Sequence, residues 1–245
     1  MSKMDDYRKK LRQLENWDAY LMQESGLPGP RGNLELAQVV ADEGDAPLFE
    51  RYLAYTADLA PTNSPYEFLA FCGVVGLGRL LAEGQTSYLE TLRQCASDRR
   101  WRMREGVAMA LQRLGDANMD LLVQEMRSWS TGNLLEQRAA AAALCEPRLL
   151  RNPTHAHAAL DILDKITSNV QQNKDRKNDE FLALRKGLGY CWSVAVVASP
   201  EDGKKLMEKW LADPDKDIRW IMRENLKKNR LVRLDADWVE QCKLK

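Results

Sequence analysis

Histidine is almost missing from this chain, with only His155 and His157 among 245 residues. They stand two positions apart, a spacing that sends side chains to different sides of a helix. A histidine-based triad would have to use this pair, and the sequence supplies neither a nucleophile arrangement nor a third metal ligand beside it. Net charge is missing too. The 36 Lys and Arg residues balance 36 Asp and Glu, so bulk electrostatics gives no reason to expect a nucleic acid or a membrane. The five cysteines are odd in number, far apart and without a CxxC pair, which argues against a disulfide framework or a zinc site. The longest uninterrupted apolar run, Phe68 to Leu77, is about half of what a membrane span needs. Met1 to Lys10 is charged, with no apolar segment behind it, so no signal peptide is expected. Together these absences predict a cytoplasmic protein with no membrane association, no metal and no cofactor.

What is there is helical periodicity. Residues 3–23 carry Leu11, Leu14, Trp17, Tyr20 and Leu21 among charges and read as one amphipathic helix. Ser25 to Asn33 holds three glycines and two prolines, a clear break that reads as a linker. Helices are then predicted over 34–44, 47–59, 65–83, 86–96, 98–114, 117–128, 132–145, 154–170, 178–197, 202–212, 215–229 and 235–243. Thr86, Asp98, Thr154 and Asp235 are the expected N-caps, and Pro47, Pro65, Pro153 and Pro200 sit where a helix start tolerates a missing N–H. No alternating run argues for a strand. The glycines of Gly73-Val-Val-Gly76-Leu-Gly78 lie within an apolar helix, with no preceding strand, so close helix packing is expected in place of a phosphate loop.

A motif recurs. Arg-Trp-x-Met-Arg-Glu appears from Arg100 and again from Arg219, 119 residues later, each preceded by an Asp six residues before the second Arg, Asp98 and Asp217. Asp179 to Arg185 repeats the spacing, and Arg138 marks a weaker copy without the Asp. The arginines at 104, 138, 185 and 223 are 34, 47 and 38 residues apart, which matches the length of helical-pair repeats. The pattern resembles the HEAT repeat over residues 45–230. That resemblance implies an Asp–Arg ladder between neighbouring repeats, with Arg104 on Asp98, Arg185 on Asp179 and Arg223 on Asp217. The expected fold is all-α: a right-handed α-solenoid of about five helical pairs, comprising a domain over 33–245 behind an N-terminal helix and linker over 1–32. Each hairpin would bury its stripe, such as Met103, Val107, Ala110, Leu111 and Leu114, against the next.

If the laddered arginines are satisfied internally, Arg100, Arg219 and Lys227 are left to meet a partner, with Arg138 as an equivalent position. Trp101, Trp192 and Trp220 recur near them and would either fill the core between repeats or, interleaved with arginine, clasp a ligand. More distantly the chain resembles the HEAT-like DNA alkylation-repair glycosylases, which hold an alkylated nucleotide with tryptophans and a catalytic Asp in a concave cleft. The expected Trp-Asp-x-x-Asp type of motif is missing, because Trp192 is followed by Ser193, Val194 and Ala195. Glu224 is expected to pair with Lys228 along its helix. The sequence supports a binding role over any named reaction: a non-catalytic scaffold that takes a protein partner in its concave groove or, alternatively, a nucleic-acid binder. Charge favours the C-terminal half for an anionic partner. Residues 1–95 hold nine Lys/Arg against fourteen Asp/Glu, a net of −5, and the remainder carries +5.

Overall fold

The computed structural model describes residues 2–244, and every regular element among them is helical. The chain divides into two compact units, Met1–Ala117 and Asn118–Lys245.

The first unit begins with α1 (Lys3–Leu11), held at its start by a capping box in which Ser2 and Asp5 satisfy each other's backbone N–H groups. The single helix expected over 3–23 is in fact two. The chain leaves the helix at Arg12 and re-enters it as α2 (Asp18–Glu24). Two side chains hold the break: the Trp17 indole N–H donates to the Leu11 carbonyl at 3.0 Å, which also accepts from the Leu14 N–H, and the Asn16 carbonyl oxygen accepts from the Asp18 N–H at 2.8 Å. Helices α3 (Leu34–Glu43), α4 (Ala46–Leu53), α5 (Pro65–Ala82), α6 (Leu89–Ala96) and α7 (Trp101–Ala117) follow. Asn33, Asp45 and Ser64 cap α3, α4 and α5 with side-chain oxygens, although none was an expected cap.

Helix α5 is the hub, packing against α2, α3, α4 and α7. It is buried on nearly every face, so it shows no amphipathic stripe. Its glycines let backbones approach. A Cβ at Gly78 would stand 2.5 Å from the Ala110 Cα on α7, and one at Gly76 would stand 2.4 Å from the Phe49 ring on α4. By length and composition α5 could cross a bilayer, as could Asp179–Ala198, because helical residues between the apolar ones extend the short run counted in sequence. In the fold, 78% and 56% of those windows are buried inside the protein.

The second unit contains α8 (Met119–Trp129), α9 (Leu134–Leu144), α10 (Pro153–Gln172), α11 (Asp179–Ala198), α12 (Pro200–Leu211) and α13 (Lys216–Leu226), closed by α14 (Asn229–Leu234) and α15 (Ala236–Lys243). The helix expected over 215–229 stops at Leu226, and α14 is separate. All four expected prolines occupy the first turn of a helix. Of the expected N-caps, Asp235 accepts from the Trp238 N–H, whereas α10 is capped by Asn152 and Thr154 lies inside it. Helix α10 touches α8 and α12, and α11 touches α9 and α13. Helices α8, α10 and α12 are thus successive neighbours, as are α9, α11 and α13. The alanine-rich α9 is mostly buried, which lets α11 approach closely. Across the other side of α11, the fully buried Asn225 amide donates to the Leu188 carbonyl at 2.9 Å and accepts from the Ser193 N–H at 2.8 Å. That one side chain hydrogen-bonds α13 to α11 at both its ends.

Candidate binding surfaces

The recurring Asp and Arg residues do meet, with different partners from those expected. Asp98 is held by Arg100, whose Nη2 lies 2.7 Å from the carboxylate. Arg100 also donates to the Tyr55 and Ala60 carbonyls at 3.0 and 3.1 Å and is 2% exposed. Where the sequence points Arg100 towards a partner, the fold spends it inside the first unit. Arg104 instead donates to the backbone carbonyls of Asp98 and Arg99. In the second unit the ion pairs join α13 to α11 and to the loop before it. Asp217 sits between Arg176, at 3.1 Å, and Arg185, whose Nε is 3.0 Å away in an ion pair too poorly aligned to be a hydrogen bond. Arg185 on α11 therefore pairs with Asp217 on α13 and not with Asp179, and Arg223 is not the partner of Asp217.

Arg176 escaped sequence reasoning because it lies in the longer loop before α11. It also reaches Asp215 at 2.6 Å and three backbone carbonyls. Burial works against the Asp215 charge, but Arg176 and the Ile218 and Asp217 N–H groups outweigh it and lower the Asp215 pKa.

The three tryptophans part company. Trp192 is fully enclosed, its indole N–H donating to Thr167 at 3.1 Å, so it belongs to the core. Trp220 is partly covered, with the Arg185 guanidinium 3.8 Å above its ring and the Cβ position of Gly189 3.3 Å from its edge. Trp101, at the first turn of α7, is 45% exposed. It forms one wall of a hollow of about 310 Å³ together with Leu34, Phe68, Phe71 and Met109, edged by Arg31, Arg102 and Glu105. Leu34 is 51% exposed. Arg102 fixes this wall: its guanidinium lies 4.4 Å from the Trp101 ring centre and pairs at 3.1 Å with the fully buried Glu67. It also donates to the Gly29 carbonyl at 2.7 Å, which pins the Ser25–Asn33 stretch to the unit.

Among the other expected contacts, Arg138 is half-buried on α9, its stem 3.4 Å from the Cβ position of Gly187. Arg219 is half-buried on α13. Lys227 is exposed and pairs with Glu224, which replaces the expected Glu224–Lys228 pair. A second, larger hollow of about 770 Å³ lies at the end of α13. Lys227, Lys228, Arg230 and Arg233 line it, with Val197 and Leu234.

Among the described residues neither histidine lines either hollow. His155 and His157 turn to opposite neighbours, Asp120 on α8 at 2.9 Å and Asp202 on α12 at 2.8 Å. Among the described residues no three His, Cys, Asp or Glu side chains converge as a metal site would require. Burial raises the pKa of Cys72 and Cys145 and pushes Cys95 up to about 11, so none of these is a thiolate near neutrality. No family model, curated protein or solved structure matches the chain.

Proposed function

We propose that the protein is a non-catalytic scaffold of HEAT-like helical pairs, an α-solenoid, that binds a protein partner. Support for the repeat comes from the ordered neighbours α8–α10–α12 and α9–α11–α13 and from rungs such as Arg185–Asp217. The observation that carries the binding role is Trp101. A large aromatic ring stands nearly half exposed over an apolar hollow while its orientation is fixed by a buried ion pair. Preorganised aromatic walls of this kind are where binding free energy concentrates. The hollow has room for one large apolar side chain, and Arg31 at its exposed rim suits a carboxylate beside that side chain.

Selection from a random-peptide display library checks this. Wild-type protein should enrich peptides sharing one Phe, Leu or Trp anchor. Trp101→Ala should weaken the selected peptide by about 2 kcal/mol, or roughly thirtyfold, while leaving the melting temperature within a few degrees. Enrichment without an apolar consensus, or equal binding by Trp101→Ala, would count against the proposal. The nucleic-acid alternative loses much of its aromatic and basic support once Trp192 is enclosed and Arg100 is consumed internally.

A further inference from the structure

The basic hollow of the second unit has a neighbour. Pro147, Leu150, Val194, Val197 and Ala198 form a mostly apolar hollow of about 380 Å³, which shares Val197 and Arg230 with the basic one and adds Arg151 at its edge. The two therefore adjoin, one aliphatic and one cationic. Among the described residues no carboxylate lines either. Lys227 is offset by Glu224. Arg151, Lys228 and Arg233 show no carboxylate partner among the described residues, and Arg151 and Arg233 are exposed. Concentrated like charges without counter-charges cost stability through mutual repulsion, and an anionic ligand would relieve that.

Two features select the ligand's class. Among the described residues no aromatic ring lines either hollow; Tyr190, beside them, has the Arg230 guanidinium 4.7 Å from its centre and the Lys228 ammonium 5.8 Å away. The hollows themselves therefore offer no platform on which a base could stack, and Tyr190, 46% exposed, stands outside both linings. The adjoining hollow is walled mainly by valine, leucine, alanine and proline, with Arg151 and Arg230 at its edge, which suits an aliphatic side chain next to a carboxylate. We infer that the paired hollows receive an acidic peptide segment of a protein partner, its carboxylates among Lys228, Arg230 and Arg233 and one aliphatic side chain against Val194 and Val197. This rests on the protein-binding role proposed above but uses none of the residues around Trp101.

Fluorescence anisotropy tests it on the full chain. The ligand is a short labelled peptide of glutamate and aspartate with one central leucine. Controls are the same peptide with serine for leucine, and single- and double-stranded DNA of similar length. The leucine peptide should bind, more tightly than the serine peptide. The double substitution Lys228→Glu and Arg233→Glu should weaken it at least about tenfold, equivalent to about 1.4 kcal/mol. Val197→Ser should remove the preference for leucine over serine. Trp101→Ala should change none of this, so failure here and failure of the Trp101 site are separable. If the charge-reversed protein melts early, Lys228→Gln and Arg233→Gln made singly replace it, each expected to weaken binding by about threefold. Unchanged affinity in the charge variants would overturn the inference. So would DNA binding more tightly than the peptide and losing affinity through the same two substitutions.

Discussion

At the residue scale, one buried arginine changes what a substitution should do. Arg100 holds Asp98 and the Tyr55 and Ala60 carbonyls within the first unit, so removing either member of the ion pair leaves the other short of its main charge partner. We expect Arg100→Ala and Asp98→Ala both to lower stability by about 3 kcal/mol, the scale for breaking a buried ion pair. Asp217→Ala should cost about 2 kcal/mol, because Arg176 and Arg185 lose a shared partner. Arg219→Ala, on a half-buried residue with no such partner among the described residues, should stay within about 0.5 kcal/mol. Urea unfolding of the four variants checks the order, and an unaffected Arg100→Ala would refute it. Sequence spacing found Asp98, Asp217 and one laddered arginine, Arg185, but assigned the wrong pairs. A motif gives positions along one helix, whereas Arg185 reaches across to α13 and Arg176 acts from an irregular loop with no period to reveal it.

At the element scale, most helices were legible because apolar periodicity and first-turn prolines agree. The failures lie where a side chain overrides periodicity. Trp17 caps Leu11 and splits one expected helix into two, and asparagine caps at Asn118, Asn133, Asn152 and Asn178 set starts that the apolar pattern alone leaves vague. The glycines of α5 were legible as packing residues, and the fold gives the reason. Gly78→Ala would drive a methyl group to 2.5 Å from the Ala110 Cα, a backbone atom that cannot rotate away. We expect a loss of about 2–4 kcal/mol, seen as a melting temperature lowered by several degrees. Ala substituted at Gly84, where the Cβ meets nothing, should suffer only the strain of its positive φ of 91°, about 1 kcal/mol. Equal losses at both glycines would argue that packing does not decide the α5–α7 contact.

At the scale of the whole molecule, charge rather than packing sets the response to pH. Asp18 in the first unit is held below its ordinary value of 3.8 by Arg51, against the effect of burial, and Tyr52 adds a hydrogen bond. Asp215 in the second is lowered likewise. A carboxylate depressed in the fold stabilises above its unfolded value and loses that contribution as pH falls through the folded one. His157 runs the other way. The Pro153 carbonyl and Asp202 raise its pKa, so its small contribution is complete below 6.5 and fades as pH rises through the folded value. Thermal melts should therefore be nearly flat around neutrality and fall steeply below about pH 4. Asp18→Asn combined with Asp215→Asn should be less stable at pH 7 and show a shallower acid decline; an unchanged slope would show that other carboxylates dominate. Neither site hollow was legible in this way. The sequence singled out Trp101 and Lys227 as candidates, but it ranked Arg100, now internal, beside them and passed over Lys228 and Arg233, because exposure depends on which residues share a wall and not on spacing.

The Asn225 amide carries a consequence for any partner. With a carbonyl from α11 on one end and an N–H from α11 on the other, it tolerates a single alignment of the two helices. A slide by even one residue would break both bonds to α11 and leave the buried amide only its Ile221 carbonyl contact. Under the proposed binding role, the surface carried by α11 and α13 would act like a cast rather than putty, leaving selectivity to the shape and charge the partner already has on arrival.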